Sequence, residues 1–183
     1  MTTISILKKA QAFFRAAHDS ISQKRKYTGE PYYNHTEAVA KTVAEYGGTE
    51  EMQIIALGHD TIEDVFPFNT FYSPERIERE FGLNVRLGVV ALTNVFTRES
   101  YPTWNRRRRH DAEAYRLATV QPHIATIKLA DIKCNTSDIL WQDPEFAKVY
   151  LREKAYEIQF LVHGDSLLFA NTKDQILTGL QRL

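Results

Sequence analysis

Six consecutive residues carry most of the reactive chemistry in this chain. The segment holds one imidazole and three carboxylates, on His59, Asp60, Glu63 and Asp64. If the apolar run before it is helical, these side chains recur at spacings of three and four and share one neighbouring surface. Groups crowded in this way repel one another unless they share a proton or a cation. The segment therefore predicts a divalent metal site.

Two further positions could supply ligands to the same metal. His35 follows a turn and begins a predicted helix, and Asp131 ends the apolar run 124–130. A carboxylate that emerges from a buried run needs a cation or strong hydrogen bonds. Imidazole and carboxylate together suit Mn²⁺, Fe²⁺ or a similar ion. Asn135 lies one helical turn beyond Asp131, where it could meet a substrate hydroxyl or phosphate.

The elements that position these residues are predicted to be helices, which makes the chain all-α. Apolar residues recur at helical spacing, and capping residues, Pro and Gly mark the boundaries. Ile124 and Ile127 are β-branched and leave a strand possible there, but no second convincing strand exists to pair with it. The predicted helices are about 6–20, 34–46, 49–66, 73–81, 83–95, 104–119, from 122 onwards, 144–162 and 165–180.

Composition bounds the class of protein. With 183 residues and 43% hydrophobic content, the chain fits one domain over residues 1–183. Its 23 basic and 23 acidic residues cancel, so bulk charge gives no reason to expect a nucleic-acid or membrane partner. The single cysteine suits a reducing compartment, and we expect a cytoplasmic protein. The run Arg106–Arg109 spreads around a helix, so one or two of its side chains could face the mouth of the site and meet phosphates. We predict a solvated face for the run, with the other arginines paired with Asp111 and Glu113 or left in solvent.

Three stretches of the chain together resemble a known family. They are Arg25–Tyr32 with His35, then His59–Asp64, and then Ile127–Asp131 with Asn135. The pattern resembles the HD-domain metal phosphohydrolases, and most closely the hydrolase domain of Rel/SpoT-type alarmone enzymes. The resemblance covers roughly residues 10–142, and residues 143–183 suffice for two supporting helices. It implies a compact single-domain helical bundle that acts as a stand-alone small alarmone hydrolase.

The resemblance also implies roles for individual residues. It implies that a metal ion is bound by His35, His59, Asp60 and Asp131. We expect this ion to be Mn²⁺. Glu63 and Asp64 match the family's catalytic acidic pair. The substrate-binding positions of the family match Arg25, Lys26, Asn135 and Asp138, with a weaker match at Trp141. The chain departs from the family's usual Arg-Leu-His before Asn135, since it has Ile132-Lys133-Cys134 there.

Several functions share this metal site. The first hypothesis is removal of the 3′-pyrophosphate from guanosine tetra- and pentaphosphate, which gives pyrophosphate and GDP or GTP. An NADPH 2′-phosphatase or another nucleotide phosphohydrolase is the alternative, and a non-catalytic nucleotide sensor is the third possibility. An intact Glu63 and Asp64 argue against the sensor. The expected partner in each case is a small-molecule nucleotide.

Overall fold

A computed structural model of the chain describes residues 5–137 and 139–183. Across these ranges the extended pairing is limited to an isolated antiparallel bridge between Lys24 and Pro31, and the predicted all-α class is confirmed. No helix within them is both long and apolar enough to cross a membrane. The contacts divide the chain into one unit that ends at Thr93 and another that begins at Asn94. The single domain over 1–183 stays a prediction.

Within residues 5–93, the first unit consists of five α-helices and two short helical turns. The α-helices are α1 (Ile6–Ser20), α2 (Tyr33–Glu45), α3 (Glu50–Gly58), α4 (Pro74–Phe81) and α5 (Leu83–Leu92). A π-helical turn (Thr61–Val65) follows α3, and a 3₁₀ turn (Thr70–Tyr72) precedes α4. Helix α3 is central, because α1, α2 and α5 all pack against it.

The end of α3 lies very close to α1. A Cβ atom on Gly58 would come within 2.6 Å of two ring carbons of Phe14, which is fully buried. Only glycine permits this approach without displacing the ring. The close packing fixes the point from which His59 and the following acidic residues leave the helix.

Local capping sets where several of these helices begin. The Thr49 hydroxyl accepts a hydrogen bond from the Met52 amide at 3.2 Å, as the sequence predicts for an N-cap. Ser73 caps α4 in the same way, and Pro74 occupies its first turn. These side chains pair with backbone N–H groups that have no partner inside the helix.

The described part of the second unit, residues 94–137 and 139–183, consists of five α-helices and one short helical turn. They are α6 (Arg106–Leu117), α7 (Pro122–Thr136), α8 (Ile139–Gln142), α9 (Pro144–Glu157) and α10 (Ser166–Gln181), with a 3₁₀ turn (Ile158–Phe160) after α9. The segment for which a strand is possible in the sequence is thus part of helix α7. Helix α10 packs on α7, and the Gln175 amide donates to the Lys133 carbonyl and the Thr136 hydroxyl at 2.8 and 2.7 Å.

A buried ion pair on α9 lies beside a histidine of α6 in this unit. The Lys154 ammonium donates to the Glu157 carboxylate at 2.6 Å, and His110 Nε2 lies 3.3 Å from the same carboxylate. Burial alone would raise the pKa of Glu157, but the Lys154 charge and the His110 hydrogen bond outweigh it and bring that pKa to about 2. The charges of Lys154 and Glu157 thus compensate each other.

The boundaries differ from the sequence prediction at the reactive segment. The predicted third helix is wrong in its second half, since α3 ends at Gly58 and the chain continues as the π-helical turn. In that turn the Phe66 amide donates to the Thr61 carbonyl at 3.0 Å, five residues back. Turns of this kind are frequent at functional sites, because they change the direction of the side chains that follow. The Asp64 amide nevertheless donates to the Asp60 carbonyl four residues back at 2.9 Å, so the α-helical spacing that we assumed is kept between these two residues.

Candidate active site

Two buried histidines and a carboxylate meet in the first unit. His35 and His59 are 5% and 3% exposed, and their ring nitrogens lie within 4.8 Å of one another. The Asp60 carboxylate reaches both rings, with its Oδ2 atom 2.9 Å from His59 Nε2 and 3.9 Å from His35 Nε2. The three predicted ligands of this unit are thus brought together on α2 and just beyond the end of α3.

The chemistry of these donors suits a divalent metal. His59 Nδ1 lies 2.7 Å from the Ala56 carbonyl oxygen, which can only accept, so Nδ1 carries the proton in the neutral ring. His59 Nε2 then presents a lone pair toward Asp60 Oδ2 at 2.9 Å. Two lone pairs at that distance are stable only with a proton or a cation shared between them. A backbone carbonyl behind the ring is also the usual way in which a metal-binding histidine is oriented.

A tyrosine connects this cluster to the loop between α1 and α2. The Tyr32 hydroxyl donates to Asp60 Oδ2 at 2.7 Å. The Arg25 guanidinium lies over the Tyr32 ring, 5.9 Å from its centroid. Arg25 and Lys26 belong to a tight reversal in which the Arg25 amide donates to the Glu30 carbonyl at 2.8 Å and Gly29 has a φ of 70°. This reversal places the Arg25 side chain near the histidine cluster.

The acidic pair lies on the π-helical turn. Glu63 and Asp64 are both half-buried, and Asp64 Oδ2 accepts a hydrogen bond from Gln23 Nε2 at 2.7 Å. Burial is the main cause that raises the pKa of Asp64 to about 6, and the charge of Asp60 adds to the rise. The Gln23 hydrogen bond opposes it. A carboxylate with such a pKa is suited to accepting a proton near neutral pH.

The remaining predicted residues belong to the second unit. Asp131 is buried on α7 with 6% exposure. Its carboxylate accepts from Lys128 Nζ at 2.9 Å and from Asn135 Nδ2 at 2.6 Å. Asn135 thus lies on the same face as Asp131, as the sequence predicts, and it also orients that carboxylate. Trp141 is 78% exposed on α8, and the predicted Asp138 lies outside the described residues.

The arginine run is only partly the solvated face that we predict. Arg106 forms two hydrogen bonds of 2.7 Å to Glu153 on α9. Arg107 pairs with Asp111 at 3.7 Å, as predicted, but Glu113 pairs with Arg116 instead. Of the two predicted acidic partners, Asp111 thus pairs with the run and Glu113 pairs with Arg116, which follows it at a spacing of three.

Three residues without a predicted role lie around Asp60 and Asp64 in the structure. They are Tyr32, Gln23 and His18. Tyr32 stands inside the stretch that carries the resemblance, so its position was a usable signal. His18 is an imidazole on the apolar face of α1, four residues after Phe14. Gln23 gives no signal, because nothing in its neighbourhood distinguishes it from a solvated loop residue.

The HD domain family model matches residues 10–155 of the chain. The chain belongs to the HD domain family. A matched relative is the guanosine-3′,5′-bis(diphosphate) 3′-pyrophosphohydrolase MESH1 of Xenopus tropicalis. It is 34% identical over 137 residues, which cover 71% of this chain and 68% of the relative. A guanosine-3′,5′-bis(diphosphate) 3′-pyrophosphohydrolase of Aquifex aeolicus is 34% identical over 83% of this chain.

The share of the relative's length that is matched differs between these comparisons, and so does the kind of likeness. This HD domain chain spans only 20% of the Aquifex aeolicus protein. A solved structure of a metazoan ortholog of SpoT, described as hydrolysing ppGpp, covers 100% of this chain and 98% of its own chain. The TM-score is 0.79 and the sequence identity is 21%, so this likeness concerns the fold. The HD-domain fold class predicted from the sequence is therefore confirmed.

Proposed function

We propose that this HD domain hydrolyses the 3′-pyrophosphate of guanosine tetra- and pentaphosphate in a metal-dependent reaction. The observation that carries the proposal is that the buried His35 and His59 and the half-buried Asp60 lie together. The half-buried Glu63 and Asp64 follow Asp60 on the π-helical turn. Relatives named for this reaction in bacteria and in Xenopus tropicalis support the choice of substrate. The products are pyrophosphate and GDP or GTP.

We assign the metal to His35, His59, Asp60 and Asp131, all of which lie within the residues that the family model matches. Mn²⁺ is the proposed ion, because two imidazoles and two carboxylates form a mixed, borderline-hard donor set. When bound, the metal supplies Lewis-acid stabilisation of the negative charge that develops on the phosphoryl oxygens.

The acidic pair handles the protons of the reaction. Water adds to the phosphorus that carries the 3′-oxygen, the bond from that phosphorus to the 3′-oxygen breaks, and the 3′-oxygen takes up a proton. Glu63 and Asp64 are the carboxylates positioned to accept the proton that the attacking water loses.

Substrate binding is assigned to Arg25, Lys26, Asn135 and Asp138. Arg25 can stack on a purine with its planar guanidinium and can pair with phosphate. Lys26 is exposed beside it, with its ammonium 4.6 Å from the centroid of the Tyr27 ring. Because the whole chain has no net charge, attraction of a highly anionic nucleotide depends on such local cations.

One comparison of substrates tests the proposal. The Mn²⁺-loaded protein is incubated separately with guanosine tetraphosphate, NADPH and nucleoside monophosphates, and the products are resolved by anion exchange. Pyrophosphate release from guanosine tetraphosphate is the expected result. Inorganic phosphate from NADPH alone would favour the 2′-phosphatase instead. Tight binding of nucleotide with no turnover of any substrate would indicate the sensor.

A second test addresses the acidic pair. We expect Glu63→Ala to lower kcat at least about 100-fold, since removal of a positioned acid or base costs 10²- to 10⁴-fold. Binding of guanosine tetraphosphate should change little, which calorimetry on the metal-loaded variant measures. Glu45→Ala is the matched control, because Glu45 is an exposed carboxylate at the end of α2. Equal kcat values for the two variants would refute the role assigned to Glu63.

A further inference from the structure

A glutamine and a buried histidine form a hydrogen-bonded brace behind the acidic pair. Gln23 Nε2 donates to Asp64 Oδ2 at 2.7 Å, and Gln23 Oε1 lies 2.6 Å from His18 Nδ1. The amide of Gln23 is therefore engaged at both ends. Since its NH₂ group donates to the carboxylate, its oxygen must accept, and His18 Nδ1 must carry the proton. The chain of groups runs from His18 to Gln23 to Asp64 with each donor and acceptor assigned.

The backbone of Gln23 is fixed as firmly as its side chain. Its amide donates to the His18 carbonyl at 3.1 Å, and its carbonyl accepts from the Tyr32 amide at 3.0 Å. A residue anchored at four points loses little further freedom when it contacts a partner. The Gln23 side chain is thus held in one position, and it contacts Asp64, which lies 41 residues further along the sequence.

Packing alone does not explain why a histidine, His18, occupies its buried position. His18 is completely buried, and its ring lies 5.1 Å from the Tyr32 ring, centroid to centroid. Its Nε2 atom is buried without a hydrogen-bond partner among the described residues. An unsatisfied buried acceptor is destabilising, and a phenyl ring would fill the space without that loss of stability. The Nδ1–H donor to Gln23 is what the imidazole adds.

We propose that Gln23 is a positioning residue for Asp64 and that His18 in turn orients Gln23. This inference rests on the proposed function, because it concerns the geometry of the proposed water-activating pair. Gln23 belongs to the segment between α1 and α2, whereas Asp64 stands on the π-helical turn. The brace restrains its carboxylate from outside that turn. Gln23 also lies two residues before Arg25, so the same segment orients the carboxylate and carries a proposed substrate contact.

The test compares Gln23→Met with a matched control in the metal-loaded protein. Gln23→Met retains the length of the side chain and removes both hydrogen bonds. We expect kcat for guanosine tetraphosphate to fall about 10- to 100-fold, the usual effect of losing a group that orients a reacting residue. KM and the affinity for Mn²⁺ should stay within about twofold of the wild-type values. Gln53→Met is the control, because Gln53 is also a half-buried glutamine of the first unit and donates to a backbone carbonyl.

A second variant keeps the inference testable if Gln23→Met does not fold. Gln23→Glu retains the oxygen that accepts from His18 and replaces the donor with an oxygen that faces the Asp64 carboxylate. Its kcat should fall at least as far. A readout that does not need turnover is the nitrogen chemical shifts of the His18 ring, which should report Nδ1–H in the wild type and change in Gln23→Met.

The outcomes separate the two hypotheses. A wild-type protein that hydrolyses guanosine tetraphosphate while a folded Gln23→Met variant retains full kcat would overturn this inference alone. A His18 ring protonated on Nε2 in the wild type would overturn it as well. A wild-type protein that turns over no nucleotide would overturn the proposed function and, with it, the positioning role. Lower kcat in Gln23→Met but not in Gln53→Met supports both.

Discussion

At the scale of single residues, the site concentrates negative charge where water is scarce. Asp60 and Asp64 are close enough for the charge of one to raise the pKa of the other. Such an arrangement destabilises the metal-free protein, because an ionised carboxylate is partly withdrawn from water beside another. Active sites often carry a cost of this kind, since the groups that perform chemistry are not those that favour folding.

The Asp64→Asn variant tests that cost in the metal-free protein. Asp64 titrates at about 6 in the folded state against an ordinary value of 3.8. Below about pH 4, this carboxyl therefore lowers the free energy of unfolding very little. The loss of stability grows between about pH 4 and pH 6 and is constant at higher pH. Asparagine carries no charge and can still accept from Gln23. We expect Asp64→Asn to be more stable than the wild type by about 3 kcal/mol at pH 7.5.

Urea unfolding at pH 4 and at pH 7.5 measures the effect. The advantage of Asp64→Asn should be much smaller at pH 4, where the wild-type carboxyl is protonated in the folded state and only about half ionised in the unfolded state. A difference in unfolding free energy that is the same at both pH values would contradict the explanation. The variant should also lose turnover, because an amide cannot accept the proton from water.

At the scale of elements, the sequence predicts what is determined locally. The caps at Thr49 and Ser73 each depend on a hydrogen bond to a backbone amide three residues away, so their residue types suffice. The π-helical turn after Gly58 was missed, because its hydrogen-bond register depends on packing against other elements. Gln23 was missed for the same reason, since its partner Asp64 is 41 residues away. The candidate ligands were predictable because their types and grouping are themselves the chemical signal.

Gly58→Ala probes the packing that ends α3. Alanine inside a helix would gain about 1 kcal/mol over glycine from propensity. The added methyl would, however, meet the buried Phe14 ring at 2.6 Å and a Val89 methyl at 3.1 Å. Overpacking of this kind costs about 1–3 kcal/mol, so we expect a net loss of stability in urea unfolding.

A double-mutant cycle identifies the cause of that loss. Phe14→Leu removes ring atoms from the position that the new methyl needs, and it is destabilising on its own. Combined with Gly58→Ala, it should cost less than the sum of the two single changes, since the pair is in contact. Additive costs would mean that the clash with Phe14 is not the reason.

At the scale of the whole molecule, binding of the metal should be coupled to folding. The chain has one cysteine, so no disulfide within it contributes to its stability. An ion that binds the folded chain and not the unfolded chain stabilises it by an amount that grows with concentration. At one hundred times the dissociation constant this amounts to about 2.7 kcal/mol. For a chain of this length that corresponds to roughly 5–10 °C in Tm.

We therefore expect Mn²⁺ to raise Tm and a chelator to reverse the rise. His59→Ala and Asp131→Ala should each abolish most of it, because each removes one proposed ligand. His123→Ala is the matched control, since His123 is an exposed imidazole at the start of α7 and should leave the rise intact. Differential scanning calorimetry with and without Mn²⁺ measures all four proteins. A rise that survives in Asp131→Ala but not in His59→Ala would restrict the metal site to the ligands of the first unit, and it would leave Lys128 and Asn135 to account for the buried Asp131 carboxylate.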